Sequence, residues 1–233
     1  MNRGLGSDLA TWYNIRLTMA SFRYKYLAVE GLVQTGKTRL AEKLAQKLGA
    51  RLVRDNQNNP FTEEFATGVR EGDGKTLIRH QLIHLLSRYH QQLEFQQKGL
   101  FHNVTISDYL PSRDGIYAHT VLEDEELNLY KQMYAILSEK FVAPQAVVYL
   151  QISFAEMLRR IAERGDDWER QVPKTYWREL FEAYNYYFFN FKACPLLVIN
   201  MEKADPSEEG LVEQVLAELS QLGRGTHYYA PSQ

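Results

Sequence analysis

The chain has 233 residues, with 27 Lys and Arg against 29 Asp and Glu for a formal net charge of −2, and 45% of its residues are hydrophobic. That length suits one α/β domain with a sizeable core, and the near balance of charge excludes a global field that would draw it to a nucleic acid polymer or an anionic membrane. A single cysteine, Cys194, excludes an intrachain disulfide or zinc framework and points to a buried thiol in a reducing cytoplasm, while no stretch reads as a signal peptide or membrane span.

Residues 1–23 carry no clear pattern and read as an N-terminal extension, 24–223 as one domain and 224–233 as a C-terminal tail. The apolar run Tyr26-Leu27-Ala28-Val29 reads as a buried strand, and Gly31-Leu32-Val33-Gln34-Thr35-Gly36-Lys37-Thr38 follows it. Two glycines bracketing four residues, then a lysine and a hydroxyl, form the loop that cradles phosphates with backbone N–H groups. Gly31, Gln34, Thr35, Gly36 and Lys37 are therefore the nucleotide-binding candidates. Lys37 is expected to reach the terminal phosphates of ATP and Thr38 to ligate Mg2+. Leucines at 40, 44 and 48 place a helix behind the loop, whose N-terminus aims its partial positive charge at a bound anion.

Residues 50–55 read as a second strand that ends in a polar run to Pro60, and 62–69 as a brief helix. Residues 76–97 form a long helix, with Leu82, Leu85, Leu86, Tyr89 and Leu93 at three- and four-residue steps. A third strand at 104–107 delivers Asp108 at its C-terminal end, where open parallel sheets place ligand-binding residues. A helix over 123–140, a strand at 146–150 and a helix over 154–163 follow. Polar residues 165–170 read as a cover, and 176–191 as a helix whose aromatic stripe is packing. A fifth strand at 196–199 and a closing helix over 208–222 complete an α/β class: a three-layer α/β/α arrangement with a five-stranded parallel sheet and the P-loop nucleoside triphosphate hydrolase fold.

Several segments together resemble the deoxyribonucleoside kinase family, particularly its bacterial deoxyadenosine/deoxyguanosine kinase branch. They are Glu30-Gly31 with the phosphate loop, Asn59-Pro60-Phe61, Gln81 with Leu86-Ser87-Arg88-Tyr89, Ser107-Asp108-Tyr109-Leu110, Val148-Tyr149-Leu150, and Arg160-Ile161-Ala162-Glu163-Arg164 through Glu169-Arg170-Gln171. The resemblance implies transfer of the ATP γ-phosphate to the 5′-hydroxyl of a nucleoside, with purine as the expected base, and a homodimer packed through the long helices. It also implies Phe61, Gln81, Arg88, Asp114 and Glu169 as substrate-binding residues, with Gln81 on the base and Glu169 on the sugar 3′-hydroxyl. Arg160 and Arg164 belong to a lid over the phosphates, Arg164 being catalytic beside Lys37, and Asp108 joins Thr38 near Mg2+. Arg113 is an alternative partner for Asp114.

The chain departs from the family at named places. Aligned on Asn59-Pro60-Phe61, Arg54 stands where the family has the glutamate that accepts the 5′-hydroxyl proton, and arginine cannot accept one. Asp55 can take the role only if the strand end turns its side chain inward, because neighbouring strand residues face opposite ways. Tyr109 replaces a family arginine, as in the bacterial branch. Asp166 stands at a lid arginine position, and Gln34 where the family usually has glycine. Two readings follow: an active nucleoside kinase with Asp55 as base, or a nucleotide-binding homologue that has lost transfer and serves as a regulatory or partner subunit.

Overall fold

The computed structural model describes residues 22–56, 58–98 and 104–231; the proposed extension lies, for residues 1–21, outside the described residues. The central strand β1 (Tyr26–Gly31) is buried along its whole length, as a strand covered on both faces must be. It leads through the loop into α1 (Lys37–Leu48), whose buried residues Leu40, Ala41, Leu44, Ala45 and Leu48 form one stripe. Gly49, in the left-handed conformation, ends that helix. Then come β2 (Arg51–Val53), α2 (Thr62–Glu71) and the long α3 (Gly74–Lys98). The strand β3 (Thr105–Ser107) is followed by α4 (Arg113–Val121) and α5 (Asp124–Ser138).

The second half contains β4 (Ala146–Gln151), α6 (Phe154–Arg164), the short α7 (Asp167–Gln171), α8 (Lys174–Phe189), β5 (Leu196–Asn200), α9 (Glu209–Gln221) and β6 (Thr226–Tyr229). The strands pair in parallel in the order β2-β3-β1-β4-β5-β6, with Ala28 opposite both Ser107 and Val147. The expected five-stranded sheet is thus corrected to six strands among the described residues. The extra strand falls in the segment read as a tail, where Thr226-His227-Tyr228-Tyr229 pairs with β5. Its mixed exposure, typical of an edge, gave no apolar run to read.

Helices α1 and α9 pack together, as do α3 with α4 and α5, and α4 with α8. The aromatic stripe of α8 is packing as expected: Tyr149 and Phe188 stack with ring centroids 3.9 Å apart. Cys194 is half-buried, and burial pushes its thiol up to about 11, away from thiolate chemistry. Among the described residues no helix is long and apolar enough to cross a membrane. Because Leu44 is fully buried, Leu44→Ala should cost about 2–5 kcal/mol of unfolding free energy in urea titration. A loss below about 1 kcal/mol would mean that α1 does not pack as described.

Candidate active site

All six strands point one way, so the loops after β1, β2 and β3 gather at one sheet edge. Both loop glycines are required by space. A Cβ at Gly31 would come within 2.6 Å of Thr35 Oγ1 and 2.9 Å of the Leu150 carbonyl oxygen. Gly36 has φ 87°, and a Cβ there would lie 2.4 Å from Pro206. The first turn of α1 carries no acidic residue, so its dipole is unopposed at the loop. Lys37 Nζ donates to the Leu32 carbonyl at 3.4 Å. Burial, then the charge of Arg113, pull the Lys37 pKa below its ordinary value.

Thr38 and Asp108 are brought together. Thr38 Oγ1 donates to Asp108 Oδ2 at 2.6 Å, while Asp108 Oδ1 accepts the Asp55 backbone N–H at 2.6 Å. The hydroxyl's proton is therefore turned to the carboxylate and its lone pairs are left for a cation. Hard oxygen donors in this small number suit Mg2+, which takes its remaining ligands from phosphates and water.

The strand-end question has a definite geometric answer. β2 stops at Val53, so strict alternation does not extend to the next two residues. Arg54, with a side chain 61% exposed, points away and pairs with Glu42 at 2.8 Å. Asp55 is only 8% exposed. Arg88 grips it with two bonds, Nε to Oδ1 at 3.1 Å and Nη2 to Oδ2 at 2.8 Å, and Arg113 Nη2 adds a third at 2.6 Å. Burial opposes ionisation, but the two guanidinium charges outweigh it and hold the Asp55 carboxyl well below the usual carboxylate range.

Arg113 reaches on to Glu30 Oε1 at 3.5 Å, and Arg88 also pairs with Asp114. The alternative pairing of Arg113 with Asp114 is thus not the one formed. Glu30, fully buried, accepts the backbone N–H of Gly31 at 2.9 Å and of Leu110 at 2.6 Å, which fixes the ends of β1 and β3 against each other. Tyr109 goes into a separate buried cluster with Tyr26, Val53 and Phe95.

Beside this cluster lies a cavity of about 370 Å³ whose lining includes Gln34, Lys37, Asp55, Gln81, Arg88, Asp114, Asp166 and Glu169. Gln81 Nε2 and Asp114 Oδ2 are buried and without a hydrogen-bond partner among the described residues, one a donor and the other an acceptor. Such a pair normally marks a place where a ligand completes the bonding. Phe61 does not line the cavity: it stands at the N-cap of α2, its N–H bonded to Asn59 Oδ1 at 3.0 Å. The aromatic wall comes instead from Phe65, Tyr117, Trp168 and Tyr176. Those residues, with His80 and His84, escape a reading of the sequence, as does the hold of Arg113 on Asp55. The signal for the histidines is their position, flanking Gln81 and four residues apart on one helix.

On the lid side, Arg160 Nη1 and Arg164 Nη2 donate to the Gln34 carbonyl at 3.3 and 3.0 Å, and Arg160 is anchored by Nη2 to the Met201 carbonyl at 2.7 Å. The residues read as a polar cover overlap α7, and Asp166 is its N-cap, with its N–H donated to Glu169 Oε2 at 3.0 Å. Asp167 points to solvent and pairs with Arg170.

Comparison with known proteins accounts for this arrangement. The pattern of the family described as "Deoxynucleoside kinase" matches residues 27–221. The chain belongs to the deoxynucleoside kinase family. It is 27% identical over 187 residues to the deoxyguanosine kinase of Bacillus subtilis, covering 78% of this chain and 82% of that one. It is 25% identical over 207 residues to the deoxyadenosine/deoxycytidine kinase of the same organism, covering 84% and 92%. A solved deoxyadenosine kinase from M. mycoides, with products dCMP and dCDP bound, matches in fold with a TM-score of 0.71 at 24% identity, covering 84% of this chain and all of that one. This deoxynucleoside kinase family member is an ATP-dependent phosphotransferase by descent.

The two cavity histidines make its stability sensitive to acid. Burial and then the charge of Arg88 lower His80 to about 4 and His84 to about 3. Both are depressed below the unfolded value, so the stability they contribute is full above about pH 6.5 and is lost as pH falls toward the folded values. Between pH 6 and 5 each should cost up to about 1.4 kcal/mol per pH unit. Chemical denaturation across that range should show the fall, and His84→Leu should flatten it; an unchanged slope would mean that these imidazoles charge freely in the folded protein.

Proposed function

We propose that this kinase transfers the γ-phosphate of ATP to the 5′-hydroxyl of a purine deoxynucleoside, with Asp55 as the group that receives the hydroxyl proton. The observation that carries the reading is the inward, arginine-held Asp55, in one cavity with Lys37 and Gln81. Phosphoryl transfer passes through a loose transition state with little bond formation to the nucleophile, so aiming the hydroxyl matters more than deprotonating it early. Asp55, held ionised by the two arginines, accepts a hydrogen bond from the hydroxyl and takes the proton as the new O–P bond forms.

Lys37 and the loop N–H groups hold the phosphates, Arg164 offers a guanidinium from the lid, Arg160 braces the loop through the Gln34 carbonyl, and Thr38 with Asp108 supplies oxygen ligands that fit Mg2+. Bound there, Mg2+ would neutralise charge on the phosphate oxygens. The unpartnered Gln81 Nε2 and Asp114 Oδ2 call for a base edge with an acceptor beside a donor, which both purines offer. One relative is named for deoxyguanosine and another for deoxyadenosine together with deoxycytidine, and the purine that each name includes supports the purine assignment. Glu169 lines the same cavity and is assigned to the sugar 3′-hydroxyl. Burial raises its pKa, with the Gln34 hydrogen bond opposing, so it sits less acidic than an ordinary glutamate.

The alternative, a homologue without transfer activity, drew on Arg54 and Asp166. Arg54 is turned to solvent and Asp166 caps a helix, so neither residue supports that reading. Exposed Leu86 on α3 and Leu129 and Ile136 on α5 support a homodimer through these helices. Sedimentation equilibrium should return twice the chain mass, and a monomer at all concentrations would contradict it.

A steady-state assay with a deoxynucleoside panel and Mg-ATP tests the proposal. Asp55→Asn should lower kcat by about 10²–10⁴-fold and Lys37→Ala should abolish product, whereas Arg54→Ala should stay within about twofold. Equal losses in the Arg54 and Asp55 variants, both shown to be folded by circular dichroism, would overturn the assignment. Gln81→Ala should raise the deoxynucleoside KM about 10- to 100-fold while changing the ATP KM little. A rise confined to ATP would place the base elsewhere.

A further inference from the structure

We propose that Gln34, a residue of the phosphate loop, is a positioning residue for the nucleoside, acting through its side chain on Glu169. The inference rests on the reading of Glu169 as the sugar-binding carboxylate. Gln34 has φ 60°, a left-handed conformation that a non-glycine side chain rarely adopts. Such strain persists only where the surroundings hold it. Here they do so from two sides. The side-chain Nε2 donates to Glu169 Oε2 at 2.7 Å, and the backbone carbonyl accepts from Arg160 Nη1 and Arg164 Nη2 at 3.3 and 3.0 Å.

Glu169 is held with matching economy. Its Oε2 takes both the Gln34 amide and the Asp166 N–H, and among the described residues no hydrogen bond falls on Oε1, which is left for a ligand. Gly165 makes the approach feasible, since a Cβ there would lie 2.8 Å from Oε2 and 2.5 Å from the Ile161 carbonyl oxygen. A carboxylate tied by one oxygen keeps a fixed plane, so the free oxygen presents its lone pairs in one direction. The loop that cradles the phosphates thereby also orients the group at the sugar end of the cavity. Glycine at this position would relieve the backbone but remove the tie.

Two variants separate the amide from the backbone. Gln34→Ala keeps the strained φ without the amide, and Gln34→Gly relieves the strain without it. Both should raise the deoxynucleoside KM, and its Kd by calorimetry, about tenfold. The ATP KM should stay within about twofold, and kcat should fall less than the deoxynucleoside KM rises. An unchanged deoxynucleoside KM and Kd in both variants would overturn the proposal, as would a defect confined to ATP. A larger KM defect in Gln34→Ala than in Gln34→Gly, with Gly close to wild type, would assign the effect to backbone strain and also overturn it. Should the wild type bind deoxynucleoside yet turn none over, the kinase reading fails while the Kd comparison still decides the role of Gln34. A wild type that binds no deoxynucleoside overturns both.

Discussion

The site depends on one buried electrostatic constraint, the ionised Asp55 held between two arginines. A carboxylate this far from solvent is costly unless each oxygen is matched, and removing one partner of such a group typically costs about 3–5 kcal/mol. The matching charges come from separate helices, Arg88 from α3 and Arg113 from α4, so both helices must reach the end of β2. Glu30 on β1 and Asp114 on α4 extend the set to three carboxylates. Lys37 and Glu169 line the same cavity, and Asp108 reaches Asp55 through its backbone N–H, so the site gathers charges of both signs in a low-dielectric place.

The same network sets the spacing of the chemistry. Asp108 bonds the Asp55 backbone with one oxygen and the Thr38 hydroxyl with the other. One aspartate thus joins Thr38 of the phosphate loop to the strand end that carries Asp55. On the opposite side the lid reaches the loop through Arg160 and Arg164, and the loop reaches the lid through Gln34 and Glu169. Preorganisation of this kind leaves less of the binding energy to be spent on ordering the site.

Much of this was legible in the residues. The loop could be read because its glycines answer to steric demands, a Thr35 hydroxyl against Gly31 and a proline against Gly36, that sequence spacing records. Asp108 was legible because a strand end in a parallel sheet is a defined place. What failed depended on where regularity stops. Alignment on Asn59-Pro60-Phe61 put Arg54 at the base position and alternation turned Asp55 away from it, but the strand ends at Val53, so the period-two rule had already lapsed. α4 escaped notice because a nine-residue helix containing Gly115 and buried Arg113 and Asp114 lacks an apolar period. β6 lacked one for the opposite reason, being half-exposed at an edge. Phe61 resembled a family position, yet Phe65, one helical turn on, is the ring that reaches the cavity.

The most direct test of the central claim is the position of the sugar in a crystal structure with a purine deoxynucleoside bound. The account predicts the 5′-oxygen within about 3.2 Å of an Asp55 carboxylate oxygen, with Arg54 still turned to solvent. A 5′-oxygen more than about 4 Å from Asp55, with another group at hydrogen-bonding distance, would contradict it.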